Sequence, residues 1–252
     1  MLVAVTERTG YQDIAGRLAR EIAVLEPGSK ISSEHELMER FGVGRASARA
    51  AVQELERRGM VRRIRGSGTF VNRRIDYLIS KELRPSWQRT VRAVGATSRS
   101  TVLLSEVRPA PEHSARYLGV GPETPVHHMR RLRYVDDRVA ALADEWVTCD
   151  VVTELGAALR IEESLDELLR QLGRVDSVRS WCRAGMELPD DDVCRALDMT
   201  TVAPVWVIES INRDADTGTA VTYSKAWMRA DVIRVVMEIG DHIPCRTEEG
   251  KS

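Results

Sequence analysis

The stretch SEHELMERFGVGRASARAAVQELERRGMVRRIRGSGTFVN, Ser33 to Asn72, sets a short amphipathic helix, a glycine turn, a longer helix and a glycine-tipped hairpin in immediate succession. Ser33 followed by Glu36 has the spacing of a capping box, in which each side chain answers the other residue's free backbone N–H. Leu37, Met38 and Phe41 then supply one apolar face before Gly42 stops the helix. After a turn of Gly42, Val43 and Gly44, the periodicity predicts a helix from about Arg45 to Arg58, with Ala48, Val52 and Leu55 as its buried stripe and Gly59 as its end. Two short helices across a tight glycine-containing turn form a helix-turn-helix. Upstream, Tyr11, Ile14, Leu18, Ile22 and Leu25 recur at three- and four-residue steps and predict a supporting helix that ends before Pro27-Gly28.

At about 100° per residue, Arg45, Ala46, Arg49 and Gln53 share the flank that the apolar stripe leaves exposed. Arg can bond guanine O6 and N7 together, and Gln can do the same for adenine N6 and N7. Taken alone, a charged helix face is more often merely a solvated one. The next segment weighs on the choice. Met60 to Ile64 and Thr69 to Asn72 predict two strands joined by Arg65-Gly66-Ser67-Gly68, whose glycines permit positive φ and close backbone approach. A hairpin there can simply pack under the helix. A basic hairpin directly after a recognition helix is a wing, and its tip suits the narrow minor groove, where Arg65 meets the strongest negative potential.

The charge distribution agrees with that reading. The chain of 252 residues has a formal net charge of -1, yet residues 1–75 hold 14 Lys+Arg against 9 Asp+Glu. Within residues 40–74, Arg40, Arg45, Arg49, Arg57, Arg58, Arg62, Arg63, Arg65, Arg73 and Arg74 face only Glu54 and Glu56 of the same window. That is the footprint of a phosphate-contacting surface, averaged away by an acidic remainder.

Residues 11–71 resemble the winged helix-turn-helix of the GntR family of bacterial regulators. The resemblance runs through Ile31-Ser32-Ser33-Glu34, Phe41-Gly42-Val43-Gly44-Arg45, Arg49, Leu55-Glu56-Arg57-Arg58-Gly59 and Gly66-Ser67-Gly68-Thr69-Phe70-Val71. It implies a homodimer on a pseudo-palindromic double-stranded operator, with DNA contacts from Ser33, Glu34, His35, Arg45, Ala46, Ser47, Arg49, Gln53, Arg65, Gly66, Gly68 and Thr69. The chain departs from the family pattern at His35, where the family commonly has Arg, and at Gly44, where it frequently has Ser.

Residues 75–98 read as a connector punctuated by Pro85 and Gly95, with Ile75, Leu78, Ile79, Leu83 and Trp87 to pack it. Beyond it, β-branched and aromatic content predicts six strands, Ser100 to Arg108, Pro125 to Tyr134, Val139 to Thr148, Val175 to Glu187, Val202 to Arg213 and Thr219 to Arg229, in one antiparallel sheet. Helices are predicted at Glu112 to Leu118, Ser164 to Leu172 and Asp190 to Leu197. The fold class is α+β, with residues 1–74 as the DNA-binding domain, 99–240 as the second domain and 241–252 as a tail. This element order resembles the UTRA effector domain of HutC-type GntR regulators, which implies a fold related to chorismate lyase used for ligand binding and dimerisation.

Arg131 and Arg133, two apart on one predicted strand, share a face and can grip a carboxylate or phosphate, so the expected effector is anionic. Ordinary surface ion pairs are the competing reading. By resemblance, Glu145, Tyr223 and Arg229 join them as effector contacts, although Thr222 stands where the family often has Glu. Trp181, Trp206 and Trp227 read as core. The cysteines Cys149, Cys182, Cys194 and Cys245 lack ligand spacing and read as reduced, mostly buried thiols. The adjacent His127 and His128 fall on opposite faces of a strand, so no metal and no cofactor is expected. No catalytic motif appears: there is no phosphate loop, no H-E-x-x-H and no G-x-S-x-G. A lyase-like enzyme and a DNA-binding protein without an effector remain the alternatives to a ligand-responsive regulator. No apolar run reaches membrane-span length and no signal peptide is recognisable, so a cytoplasmic protein is expected.

Overall fold

The structure, a computed structural model, describes residues 10–80 and 84–238. His242, Cys245 and the expected tail lie outside the described residues. The chain divides into two compact units, the first built on the described residues up to Arg74 together with Ala230–Val232, the second on Ile75–Arg229 and the strand that follows from Ile233.

In the first unit, α1 (Tyr11–Ile22), α2 (Glu34–Phe41) and α3 (Arg45–Arg57) close around Ile14, Leu18, Leu37, Ala48, Val52 and Leu55. Tyr11 and Leu25 are each 42% exposed, so the buried stripe of α1 is narrower than its periodicity predicts. Tyr11 is the first helical residue and Leu25 lies past the last, where the helical spacing no longer aims a side chain inward. The capping box at α2 is complete: Ser33 N donates to Glu36 Oε2 at 2.6 Å and Glu36 N donates to Ser33 Oγ at 3.3 Å. Ser33→Ala removes one of these bonds and is expected to destabilise the first unit by about 1 kcal/mol, with Ser33→Thr near wild type, as read by urea unfolding followed by circular dichroism.

Strands β1 (Val61–Ile64) and β2 (Gly68–Val71) pair antiparallel, with Val61 and Val71 anchored in the helical core. The wing is broader than the sequence predicts. Val71 N donates to the Ser29 carbonyl at 2.8 Å and Ile31 N to the Thr69 carbonyl at 2.9 Å, so the stretch before α2 lies along β2 as an outer edge. This edge has no alternating pattern of its own and takes its conformation from β2.

The second unit begins with β3 (Ile75–Ile79) and α4 (Trp87–Arg92), in the stretch read as a connector. It continues through β4 (Ser98–Pro109), α5 (Glu112–Leu118), β5 (Pro125–Val135) and β6 (Arg138–Thr148). Then follow α6 (Leu155–Ala158), α7 (Leu165–Gln171), β7 (Ser177–Glu187), α8 (Asp191–Ala196), β8 (Val205–Asp214), β9 (Ala220–Arg229) and β10 (Ile233–Met237). The six predicted strands form one antiparallel sheet in the order β4-β5-β6-β9-β8-β7. A separate parallel pair joins β3 to β10, with Ile75 opposite Ile233.

Helices cover both faces of the large sheet. On one, Leu155, Leu159, Leu168 and Leu169 from α6, α7 and their ends pack on Met129 and Val147. On the other, Ala115 and Leu118 of α5 pack on Trp146 and Tyr223, while Val193 of α8 and Leu197 pack on Leu142, Val205 and Val207. The tryptophan expectation holds in part, since Trp181 and Trp227 pack against two core clusters while Trp206 belongs to neither of them. Trp181, Trp206 and Trp227 are only half-buried, whereas Trp87 and Trp146 are the buried pair. The cysteines differ too: Cys194 is buried, but Cys149 and Cys182 keep part of their surface. No described helix is long and apolar enough to cross a membrane.

Candidate functional site

Helix α3 exposes Arg45, Ala46, Arg49 and Gln53 along one flank, with Ser47 half-buried beside them. Its N-cap, Gly44, supplies no side-chain bond, and while Ser47 N donates to the Gly44 carbonyl at 3.0 Å, the N–H groups of Arg45 and Ala46 stay open to an anion. The wing presents Arg65, Gly66 and Gly68 as exposed residues and Thr69 half-buried. Gly68 has φ +125° and lies against Lys30, whose Cε would sit 2.8 Å from an added Cβ.

The fold sorts the arginines in a way the sequence does not. Arg40 makes two bonds to Glu21, at 2.9 and 2.6 Å. Arg57 and Arg58 share Glu54, at 2.8 and 2.7 Å, and their hydrogen bonds hold that carboxyl down at about 2. Arg63 lies 3.4 Å from both Glu34 and Glu56. The ten arginines of the window therefore do not face Glu54 and Glu56 alone, because folding brings Glu21 and Glu34 from other elements. Arg49, Arg62 and Arg65 have no acidic partner among the described residues, and Arg45 has only a long 3.9 Å approach to Glu34. Of the remaining predicted contacts, Ser33 caps α2, Glu34 faces Arg45 and Arg63, and His35 lies 3.4 Å from Glu39.

The five predicted effector residues divide between the two faces of the large sheet. Glu145 pairs with Met129 on β5 and with Ser224 on β9, which puts Arg131, Arg133 and Glu145 on one face and Tyr223 and Arg229 on the other. On the first face, Arg131 makes a two-bond contact with Glu145, at 2.6 and 2.9 Å, and Arg133 Nη2 reaches the same carboxylate at 2.5 Å. Arg131 and Glu145 are each 2% exposed. Burial alone would raise the Glu145 carboxyl, but the charges of Arg131 and Arg133 and their hydrogen bonds outweigh it and hold the group below its ordinary range.

The segment before α7 closes over this cluster. Arg131 Nη1 donates to the Glu163 carbonyl at 2.9 Å, and Ser100 N donates to Glu163 Oε2 at 2.5 Å. Arg133 also stands 5.8 Å from the ring centroid of Trp87, and its Nε is buried without a hydrogen-bond partner. Ser224, opposite Glu145, shares a 3.0 Å bond with Ser210 on β8, and the buried Thr222 hydroxyl on the same face has no partner. Glu163, Ser210 and Ser224 were not among the residues predicted from sequence, because only the strand register and the α7 approach assemble them.

On the opposite face, Tyr223 donates its hydroxyl to Glu209 Oε1 at 2.6 Å, and burial with that bond pushes the phenol well above its usual value. Arg229 Nη1 donates to the carbonyls of Leu197 and Asp198, fastening the end of α8. His127 and His128 diverge as expected: His127 Nε2 bonds the Val152 carbonyl at 2.7 Å, while His128 stacks on Trp146.

A winged helix-turn-helix with uncompensated arginines on helix and wing, joined in one chain to a sheet domain with a buried cationic cluster, defines a DNA-binding transcription regulator with an effector domain, not an enzyme. Residues 10–71 match the family described as bacterial regulatory proteins, gntR family, and residues 93–234 match the UTRA domain. The chain belongs to the GntR family of regulators that carry a UTRA domain. It is 29% identical over 233 residues to the probable transcriptional regulator PhnF of Escherichia coli K12, spanning 91% of this chain and 95% of the relative. It is 27% identical over 206 residues to the mannosyl-D-glycerate transport/metabolism system repressor MngR of the same organism, spanning 81% of this chain and 84% of the relative. The crystal structure of PhnF from Mycobacterium smegmatis shares the fold with a TM-score of 0.63 at 23% identity, over 90% of this chain and 99% of that one.

Proposed function

We propose that the chain is a repressor that binds a pseudo-palindromic operator as a homodimer in the cytoplasm and releases it when a small anionic metabolite binds the UTRA domain. The observation that carries the DNA half is that Arg49, Arg62 and Arg65 stand in no ion pair among the described residues, while their neighbours Arg57, Arg58 and Arg63 do. Arg49 and Arg65 are exposed and Arg62 is half-buried, and guanidiniums that no carboxylate neutralises retain charge for phosphates and base edges. In this reading Arg45, Ala46, Ser47, Arg49 and Gln53 enter the major groove. Ser33, Glu34 and His35 border the backbone, and Arg65, Gly66, Gly68 and Thr69 approach the minor groove. MngR, a named repressor, supports the direction of control.

The effector seats on the face that carries Arg131, Arg133 and Glu145, with its acidic group accepting from the unpaired Nε of Arg133. Tyr223 and Arg229 serve this site indirectly, by fixing the far side of the sheet. Binding shifts the population toward a dimer whose reading surfaces no longer match the half-sites. Selection of bound duplexes from a random-sequence pool is expected to enrich one inverted repeat, and an enriched pool without two-fold symmetry overturns the homodimer. Arg133→Ala is expected to keep operator affinity while losing release by metabolite extract. Release at the wild-type extract concentration places the effector elsewhere.

A further inference from the structure

A cavity of about 290 Å³ opens in the second unit between β3, the segment 84–94 and the start of β7. Its lining includes none of Arg131, Arg133, Glu145, Tyr223 or Arg229. Helix α4 separates the two places: Trp87 and Val91 are its buried side, and Trp87 meets Arg133, whereas Ser86, Arg89, Thr90 and Ala93 turn to the cavity.

The charged groups around this cavity do not balance. Arg84 is paired with Asp176 at 2.6 Å and Arg89 with Asp166 at 3.2 Å. Asp76 is taken by Arg234, at 2.6 and 2.5 Å. Arg179 is different. Its Nη2 donates to the Tyr77 hydroxyl at 3.0 Å and its guanidinium stands 5.7 Å from the Tyr77 ring centroid, but it has no carboxylate partner among the described residues. Its Nε is buried with no acceptor. Arg179 is half-buried, and an anion delivered to its buried Nε supplies the acceptor and counter-charge that the wall lacks. Apart from these charged groups and from Ser86 and Thr90, the wall is apolar, from Leu78, Pro85, Ala93, Val94 and the Tyr77 ring.

We propose that this cavity is a second small-molecule site, which takes a compact monoanion with an apolar body and anchors its acidic group on Arg179. One unpaired cation selects a single charge over a dianionic phosphate. The volume suits a body of one or two fused rings. The site stands apart from the Arg131–Arg133–Glu145 cluster and does not require that reading to hold.

The test is a fluorine-detected NMR titration of 6-fluoro-2-naphthoate against the full chain without DNA, with the neutral 6-fluoro-2-naphthamide as the shape control. Saturable binding of the acid is expected, roughly tenfold weaker for the amide and for Arg179→Met, with Arg179→Lys in between. Ala93→Trp, which fills the cavity without touching the anchor, is expected to abolish it. Three results overturn the proposal: no saturable binding by the wild-type chain, equal affinity for acid and amide, or binding that survives Arg179→Met and is lost in Arg133→Ala. Operator affinity does not enter this readout, so failure here leaves the DNA-binding reading intact.

Discussion

Glu145→Ala is expected to destabilise the second unit by roughly 3–5 kcal/mol, the cost typical of removing one partner from a buried ion pair. The carboxylate is the shared counter-ion of Arg131 and Arg133, and Arg131 is 2% exposed and cannot swing out to water. Its deletion leaves two guanidiniums with one carbonyl, that of Glu163, to accept from them. All five tryptophans lie between Trp87 and Trp227, so tryptophan fluorescence during urea unfolding reports this unit alone. A loss below about 1 kcal/mol contradicts the buried pair, because that is the range of exposed ones.

The same carboxylate fixes a pH dependence. Its folded pKa lies below the ordinary value of 4.5. The stabilisation is therefore fully present above that ordinary value and is lost as pH falls through the lowered one. Glu145→Gln, which keeps the shape, is expected to flatten this acid limb. Asp144, on the neighbouring strand position, acts with the opposite sign: burial raises its carboxyl, so its ionisation weakens the fold as pH rises past the usual carboxylate range.

Arg49→Ala is expected to weaken the operator complex by roughly 2–6 kcal/mol, since one bidentate base contact contributes about 1–3 kcal/mol and a symmetric dimer makes it twice. The loss is expected to concentrate at one base pair per half-site, read by titrating a set of operator point variants. Arg57→Ala is the control. Arg57 is also exposed and basic, but its guanidinium is committed to Glu54, so it is expected to change affinity by less than about threefold. Equal losses for the two variants contradict the division into committed and uncommitted arginines.

What the sequence made legible is what local chemistry decides. Ser33 and Glu36 announce the start of α2, Gly42 its end, and Gly66 and Gly68 the wing, because each rule needs only a few neighbouring residues. The six strands of the large sheet and three of its helices follow from the same local signals. Partners from distant elements were not legible. Glu21 reaches Arg40 and Glu34 reaches Arg63 only once the helices and wing have packed. The β3–β10 pair joins segments on either side of the whole large sheet, so Ile75 carries no sign of Ile233. The division of Tyr223 and Arg229 from Glu145 depends on the pairing of Glu145 with Ser224, a register that alternation alone does not supply. Trp146 was missed as a core residue because its neighbours Glu145 and Asp144 make the strand look exposed, while both faces of the sheet are in fact covered.

The most direct measurement is the anisotropy of a labelled duplex carrying the selected inverted repeat, titrated with the full chain at about 150 mM salt beside a shuffled duplex of equal length. The structure predicts binding to the repeat at least about 10³-fold tighter than to the shuffled sequence, the lower end for specific operator proteins. Equal affinity for the two duplexes, or none for either, would contradict an α3-and-wing surface that reads DNA sequence.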